Sequence, residues 1–150
     1  MKARQSGFVL IAMSISMLLM VAVVGLGFDL GRIYIARNEA QVFTDAAALT
    51  AASRLDGTAA GVERARQAVS VLPIRWDLGT KAFTGVVVEF SPDGQRWYGQ
   101  TEDSSDAGFA RVTAPANEVE ITLPRAVGGP ESFTVPAHSV AATAPVRLVE

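Results

Sequence analysis

From Gly7 to Phe28 the chain runs 22 residues without a charge, and that one feature limits what it can fold into. As a helix rising about 1.5 Å per residue, the run spans roughly 33 Å, close to the hydrocarbon thickness of a bilayer. Twelve of its residues are Leu, Ile, Val or Phe. At about 0.3 to 0.6 kcal/mol each they favour insertion by roughly 4 to 7 kcal/mol, as an upper bound. Ser14 and Ser16 are its only polar side chains, and both can bond back to the helix backbone. A secretory signal peptide is the competing reading, and Met1-Lys2-Ala3-Arg4 would suit one. The apolar run is too long for such a signal, however, and no small-x-small cleavage site closely follows it. The sequence therefore predicts an uncleaved transmembrane helix over 7–28, preceded by a short N-terminus over 1–6. Lys2 and Arg4 before the span nearly balance Arg32 and Arg37 after it, so charge leaves the orientation open.

With 150 residues there is room for one anchor and one small domain. Setting aside Lys2 and Arg4, 11 of the 13 basic side chains stand against all 15 acidic ones. That acidic balance argues against nucleic acid as a partner. The sequence has no cysteine, which excludes disulfides, thiolate metal sites and cysteine nucleophiles. A small exported domain must then be held by packing or by partners.

The helical pattern continues past Phe28. No proline occurs between Met1 and Leu72, and Asp56-Gly57 is the first strong stop. One helix from Gly7 to Leu55 would be roughly 73 Å long and would project beyond the bilayer. Asp29 and Arg32 are spaced for a favourable pair one turn apart. Ala36, Ala40, Thr44, Ala48 and Ala52 recur every four residues, and Gly27 and Gly31 form a small-xxx-small pair at the membrane exit. Small side chains let backbones approach closely and favour helix packing. Alanine is also the best helix former, so the alanines fit either role. The glycines point to packing more strongly, since glycine costs about 1 kcal/mol against alanine inside a helix.

Three elements in this helix carry a resemblance. They are the apolar span ending Val24-Gly25-Leu26-Gly27-Phe28, the sequence Asp29-Leu30-Gly31-Arg32-Ile33-Tyr34, and Arg37-Asn38-Glu39-Ala40-Gln41 with the run Thr44-Asp45-Ala46-Ala47-Ala48-Leu49-Thr50-Ala51-Ala52. Together, residues Gly7 to Arg54 resemble the N-terminal region of the TadE/TadG-like proteins of tight-adherence (Flp) pilus assembly. The resemblance implies a bacterial inner-membrane protein with its C-terminal part outside the cytoplasm, engaged in building a Flp pilus. Its implied partners are membrane lipid and other pilus-assembly or pilin proteins, met through helix packing. Larger relatives carry a von Willebrand A-like domain with an Asp-x-Ser-x-Ser metal motif. Asp103-Ser104-Ser105-Asp106-Ala107 does not fit that motif, so no such domain and no metal site is expected. Lys2 to Phe8 also resembles a type IV prepilin leader with processing between Gly7 and Phe8. Prepilins usually carry glutamate at the fifth mature position, where this chain has Ala12, and that argues against cleavage.

Beyond the long helix, 56–72 reads as a linker and a short helix. Thr58 is its cap, Val62, Ala65, Val69 and Leu72 form one face, and Pro73 marks its end. Residues 73–150 read as a small β-rich domain. Strands are expected over Phe83 to Phe90, Phe109 to Thr113, Glu118 to Leu123, Phe133 to Val135 and Val140 to Leu148, with Arg96-Trp97-Tyr98 returning as a hairpin partner. Ser91-Pro92-Asp93-Gly94 and Pro115-Ala116-Asn117 are expected turns, Gln100 to Gly108 a polar loop, and Pro136 and Pro145 suggest edge strands. Val119, Ile121 and Leu123 should face inward and Glu118, Glu120 and Thr122 outward. The fold class is α+β: a long N-terminal helix, a short helix and a small, mostly antiparallel sheet. So small a domain makes a marginal core alone, so the sheet should pack on the emergent helix near Phe43 and Leu49, in a pilin-like arrangement.

Catalytic chemistry is hard to assemble from this sequence. His138 is the sole histidine and reads as a strand-surface residue. No P-loop, Gly-x-Ser-x-Gly or dinucleotide fingerprint is present. The expectation is a non-enzymatic protein without cofactor, metal or small-molecule substrate. Asp29 and Asp45 are the polar positions most apt for partner contact, since membrane-proximal ionisable groups often mark function. Gly27, Gly31, Arg32, Ala48 and Ala52 join them as candidate packing residues. Two alternatives stand beside a membrane-anchored assembly component. One is a minor pilin that enters the filament, and the other is a tethered surface-binding module using Trp97 and Tyr98.

Overall fold

The computed structural model describes residues 6–73, 85–99, 105–126 and 128–143. Helix α1 runs unbroken over Ser6–Ala52, about 70 Å at the standard rise. It continues through Gly25, Gly27 and Gly31 because no proline or competing cap interrupts its backbone ladder. Helix α2 spans Ala59–Ser70. Its cap is Thr58, whose hydroxyl accepts from the Gly61 amide and itself donates to Asp56. An added Cβ at Gly61 would lie 2.2 Å from Asp56 Oδ1 and would displace that carboxylate from the cap. Val62, Ala65 and Val69 are buried as the sequence pattern required.

Three strands follow, β1 (Val87–Ser91), β2 (Phe109–Glu120) and β3 (Ser132–Ala142), with the four-residue helix α3 (Leu123–Ala126) between the last two. They form an antiparallel sheet in the order β1-β2-β3. Phe90 and Tyr98 add one further bridge, with both backbone bonds made. The expected hairpin return at Arg96 to Tyr98 is limited to that bridge. Side chains hold the intervening loop instead: Ser91 Oγ accepts from Gly94, and Asp93 accepts from Gln95 and Arg96.

Two sequence expectations are corrected here. Pro115-Ala116-Asn117 does not turn the chain, since β2 passes straight through it. Phe133 to Val135 and Val140 onward are not separate strands, since β3 is continuous across Pro136. Ala114 pairs with Ala137 and Asn117 with Val135, so β2 carries one extra residue there. Pro115 and Ala116 on β2 stand against Pro136 on β3 where the ladder is interrupted, so the two missing proline N–H groups cost no regular bond. The bulge also shifts the alternation. Ala110, Val112 and Ala114 face inward before it, and Val119 and Ile121 after it, leaving Glu118 and Glu120 outside. Phe83, Pro145 and Leu148, for which the sequence also raises expectations, lie outside the described residues.

The sheet packs one face along α1. Ala36, Ala40, Thr44, Ala48 and Ala52, with Ala47 and Ala51, are all buried. One cluster sets Ala36 and Ala40 against Val119, Val135 and Ala137. A second sets Ala47 to Leu55 against α2, Phe90, Ala110 and Val112. Phe43 and Val86 touch both. Leu49, the other expected contact, lies 65% exposed on the opposite side of the helix. Because Ala40 is fully buried with β-carbon depth only, Ala40→Leu should force the sheet off the helix. A loss of about 1–3 kcal/mol is expected from overpacking, read as a lower thermal midpoint of the purified protein in detergent. An unchanged midpoint would mean that the seat is loose.

Candidate functional site

The alanine seat uses up most of the face of α1 that sequence reading offered to partners. Two polar contacts lock the sheet onto it. At the lower end Asp29, only 3% exposed, accepts from the Thr122 amide at 3.0 Å and the Leu123 amide at 2.7 Å. These amides begin α3, so the carboxylate satisfies donors that the short helix cannot. Leu123 then lies over Gly25, where an added Cβ would stand 3.0 Å from it. Gly25 is thus the glycine that permits close approach. Gly27 and Gly31 meet nothing within 4 Å.

At the upper end Thr44 and Ser139 share a buried hydroxyl contact at 3.0 Å. Gln41 donates to Ser139 at 3.0 Å and to Asp45 at 3.0 Å, and Ser139 donates to Asp45. Asp45 is therefore part of a helix-to-sheet clasp. Ala48 and Ala52 lie under the sheet. Arg32 is half-buried and acts on Asp29 as a nearby charge. Gly7 and Phe8 sit at the exposed start of α1, and Met1 to Gln5 lie outside the described residues. Gln41, Thr122, Leu123 and Ser139 were not singled out from the sequence. The available signal was three hydrogen-bonding side chains, Gln41, Thr44 and Asp45, on one stretch of an alanine-rich helix.

The opposite side of α1 is bare. Phe28, Ile35, Val42 and Leu49 recur every seven residues and are 67%, 43%, 67% and 65% exposed. Beside them Ile35, Glu39, Val42, Phe43, Leu72 and Pro73 line an open groove of about 420 Å³, and Glu39 Oε2 is buried with no partner among the described residues. Nearer the N-terminus the apolar stretch of α1 is wholly unburied, and it is long and apolar enough to cross a membrane.

Elsewhere, Trp97 is half-buried and carries the Arg111 guanidinium 4.3 Å over its ring, with Arg111 also paired to Glu89 at 2.8 Å. One indole face is thus occupied, which disfavours a stacking platform for a sugar. His138 is exposed on β3. Among the described residues no group of three or more His, Asp or Glu is placed to hold a metal ion.

The molecule is thus a small α+β domain built on a long helix that is apolar and unburied at one end and clad by its own sheet at the other. Residues 7–54 match the family model described as putative Flp pilus-assembly TadE/G-like. The matched segment is about a third of the chain and is coextensive with nearly all of α1. No curated protein and no solved structure matches the chain.

The Leu123 and Thr122 amides hold the Asp29 carboxyl below the usual carboxylate range, with burial opposing them and Arg32 assisting. Since the folded-state value is the lower one, this contribution to stability is complete above about pH 4 and is lost as pH falls through the folded-state value. At pH 7 Asp29→Ala should accelerate hydrogen exchange at the Thr122 and Leu123 amides while leaving Gly61, in the α2 cap, unaffected. Equal exchange at Thr122 in variant and parent would contradict the cap.

Proposed function

We propose that this protein is a membrane-anchored structural component of Flp pilus assembly. The observation that carries the reading is the match of residues 7–54 to the pilus-assembly family model, on the same residues that form α1. In this reading the unburied apolar stretch of α1 crosses the bacterial inner membrane once, and the α+β domain stands outside the cytoplasm. The protein acts by presenting a helix face to other pilus proteins and performs no reaction.

Which face does so follows from what the domain leaves open. Asp29, Asp45, Ala48 and Ala52 are engaged within the chain. The open positions are Gly27, Gly31 and the heptad-spaced Phe28, Ile35, Val42 and Leu49. A seven-residue apolar repeat suits a left-handed crossing with another helix, and Gly27 and Gly31 allow that helix close approach. The minor-pilin alternative uses the same helix within a filament. It is separated from the assembly-factor reading by whether the protein appears in sheared filaments or only in the inner membrane.

Deleting the gene in its native host, with no paralogue present, should abolish Flp pili. A Val42→Asp, Leu49→Asp double variant should fail to restore them while accumulating in the membrane at the parental level, because both positions are exposed in the monomer. Normal piliation of the deletion strain would overturn the assignment. Full rescue by the double variant would remove the outward face from it.

A further inference from the structure

We propose that α3 and the first residues of β3 rest in the headgroup layer of the bilayer, so that the domain sits directly on the membrane surface. This rests on the membrane-anchor reading above. The height of the contact follows from α1. Side chains from Phe8 to Val24 are apolar and exposed apart from the serines and small alanines, and belong in hydrocarbon. Asp29 is charged and bonded to backbone amides, and belongs outside it. The hydrocarbon edge therefore falls between Val24 and Asp29.

Leu123 touches α1 at Gly25, and its amide is bonded to Asp29. Gly25 to Asp29 rises about 6 Å along the helix, matching a headgroup layer of roughly 5–7 Å. α3 is thus tied to α1 at the level of the headgroups and cannot stand clear of them.

The surface presented there has the matching chemistry. Phe133, the second residue of β3, is half-exposed beside Val119. Leu123 and Pro124 are partly exposed. Arg125 is exposed, within 3.5 Å of Glu131, and its stem can lie along apolar surface with its head among phosphates. Phe28 and Leu30 are exposed on α1 at the same height. At the far end of the domain Phe90, which leads into the Ser91 to Arg96 loop, packs with Ala47 to Leu55, on the order of 30 Å further along α1 from the membrane.

The absence of cysteine in the sequence allows a clean test. Full-length single-cysteine variants Val21→Cys, Arg125→Cys and Gln95→Cys are labelled with an environment-sensitive fluorophore. They are reconstituted in phosphatidylethanolamine–phosphatidylglycerol vesicles containing lipids spin-labelled either at the headgroup or deep in the acyl chain. Expected is strong quenching at 125 by headgroup labels, quenching at 21 by acyl-chain labels, and none at 95. Quenching at 21 with none at 125 would overturn the proposal while leaving the anchor intact. A label at 125 shielded from aqueous quencher but untouched by spin-labelled lipid would mean a protein neighbour covers α3, which also overturns it. No quenching at 21 would remove the anchor reading itself.

Discussion

The close approach of a sheet to one alanine-lined side of α1 is the constraint on which the rest depends. Ala36, Ala40, Ala47, Ala48 and Ala51 offer little apolar area each, so their value lies in distance. They let the inward residues of β2 and β3 reach the helix, and they let Phe43 bridge the two core clusters. With no cysteine and few large side chains to bury, the domain lacks the usual means of stabilising a small fold. It takes its second layer from the helix, and domain and helix therefore form one folded unit.

Burial at the seat gives strength without register, since alanines are interchangeable along a helix face. Register comes from the polar contacts at either end. Asp29 can satisfy the amides of Thr122 and Leu123 from only one height, and the Gln41, Thr44 and Asp45 cluster meets Ser139 from only one rotation. Sliding the sheet by one helical turn would leave a buried carboxylate and several hydroxyls unpaired, a far larger penalty than the alanine contacts could offset. The same geometry decides which surface is free. Everything on the sheet side is committed, and the heptad-spaced Phe28, Ile35, Val42 and Leu49 point away from it.

Much of this was legible in the sequence. The charge-free run and the absence of proline defined α1, the i, i+4 small residues marked a face open to close packing without saying what covers it, and strict alternation over Glu118 to Leu123 placed Val119 and Ile121 inward. The β-domain was harder for identifiable reasons. Pro115 and Pro136 read singly as breaks, yet both fall within one bulge where the ladder is already interrupted, and only the strand register reveals that coincidence. Asp29 and Asp45 stood out as unusual, but their bonds run to residues more than ninety positions away, which local pattern cannot reveal. Gly27 and Gly31 drew notice through a motif, whereas Gly25 is the one that a side chain of the domain covers.

The sheet of this chain, and not a partner, covers the small-residue face of α1. Thr44 and Ser139 meet side chain to side chain across that contact, so the most direct measurement is disulfide trapping in the Thr44→Cys, Ser139→Cys double variant reconstituted in vesicles. A rapid, near-complete disulfide within one chain, seen as an oxidised monomer, is expected. Two free thiols, or a disulfide formed only between chains, would contradict it.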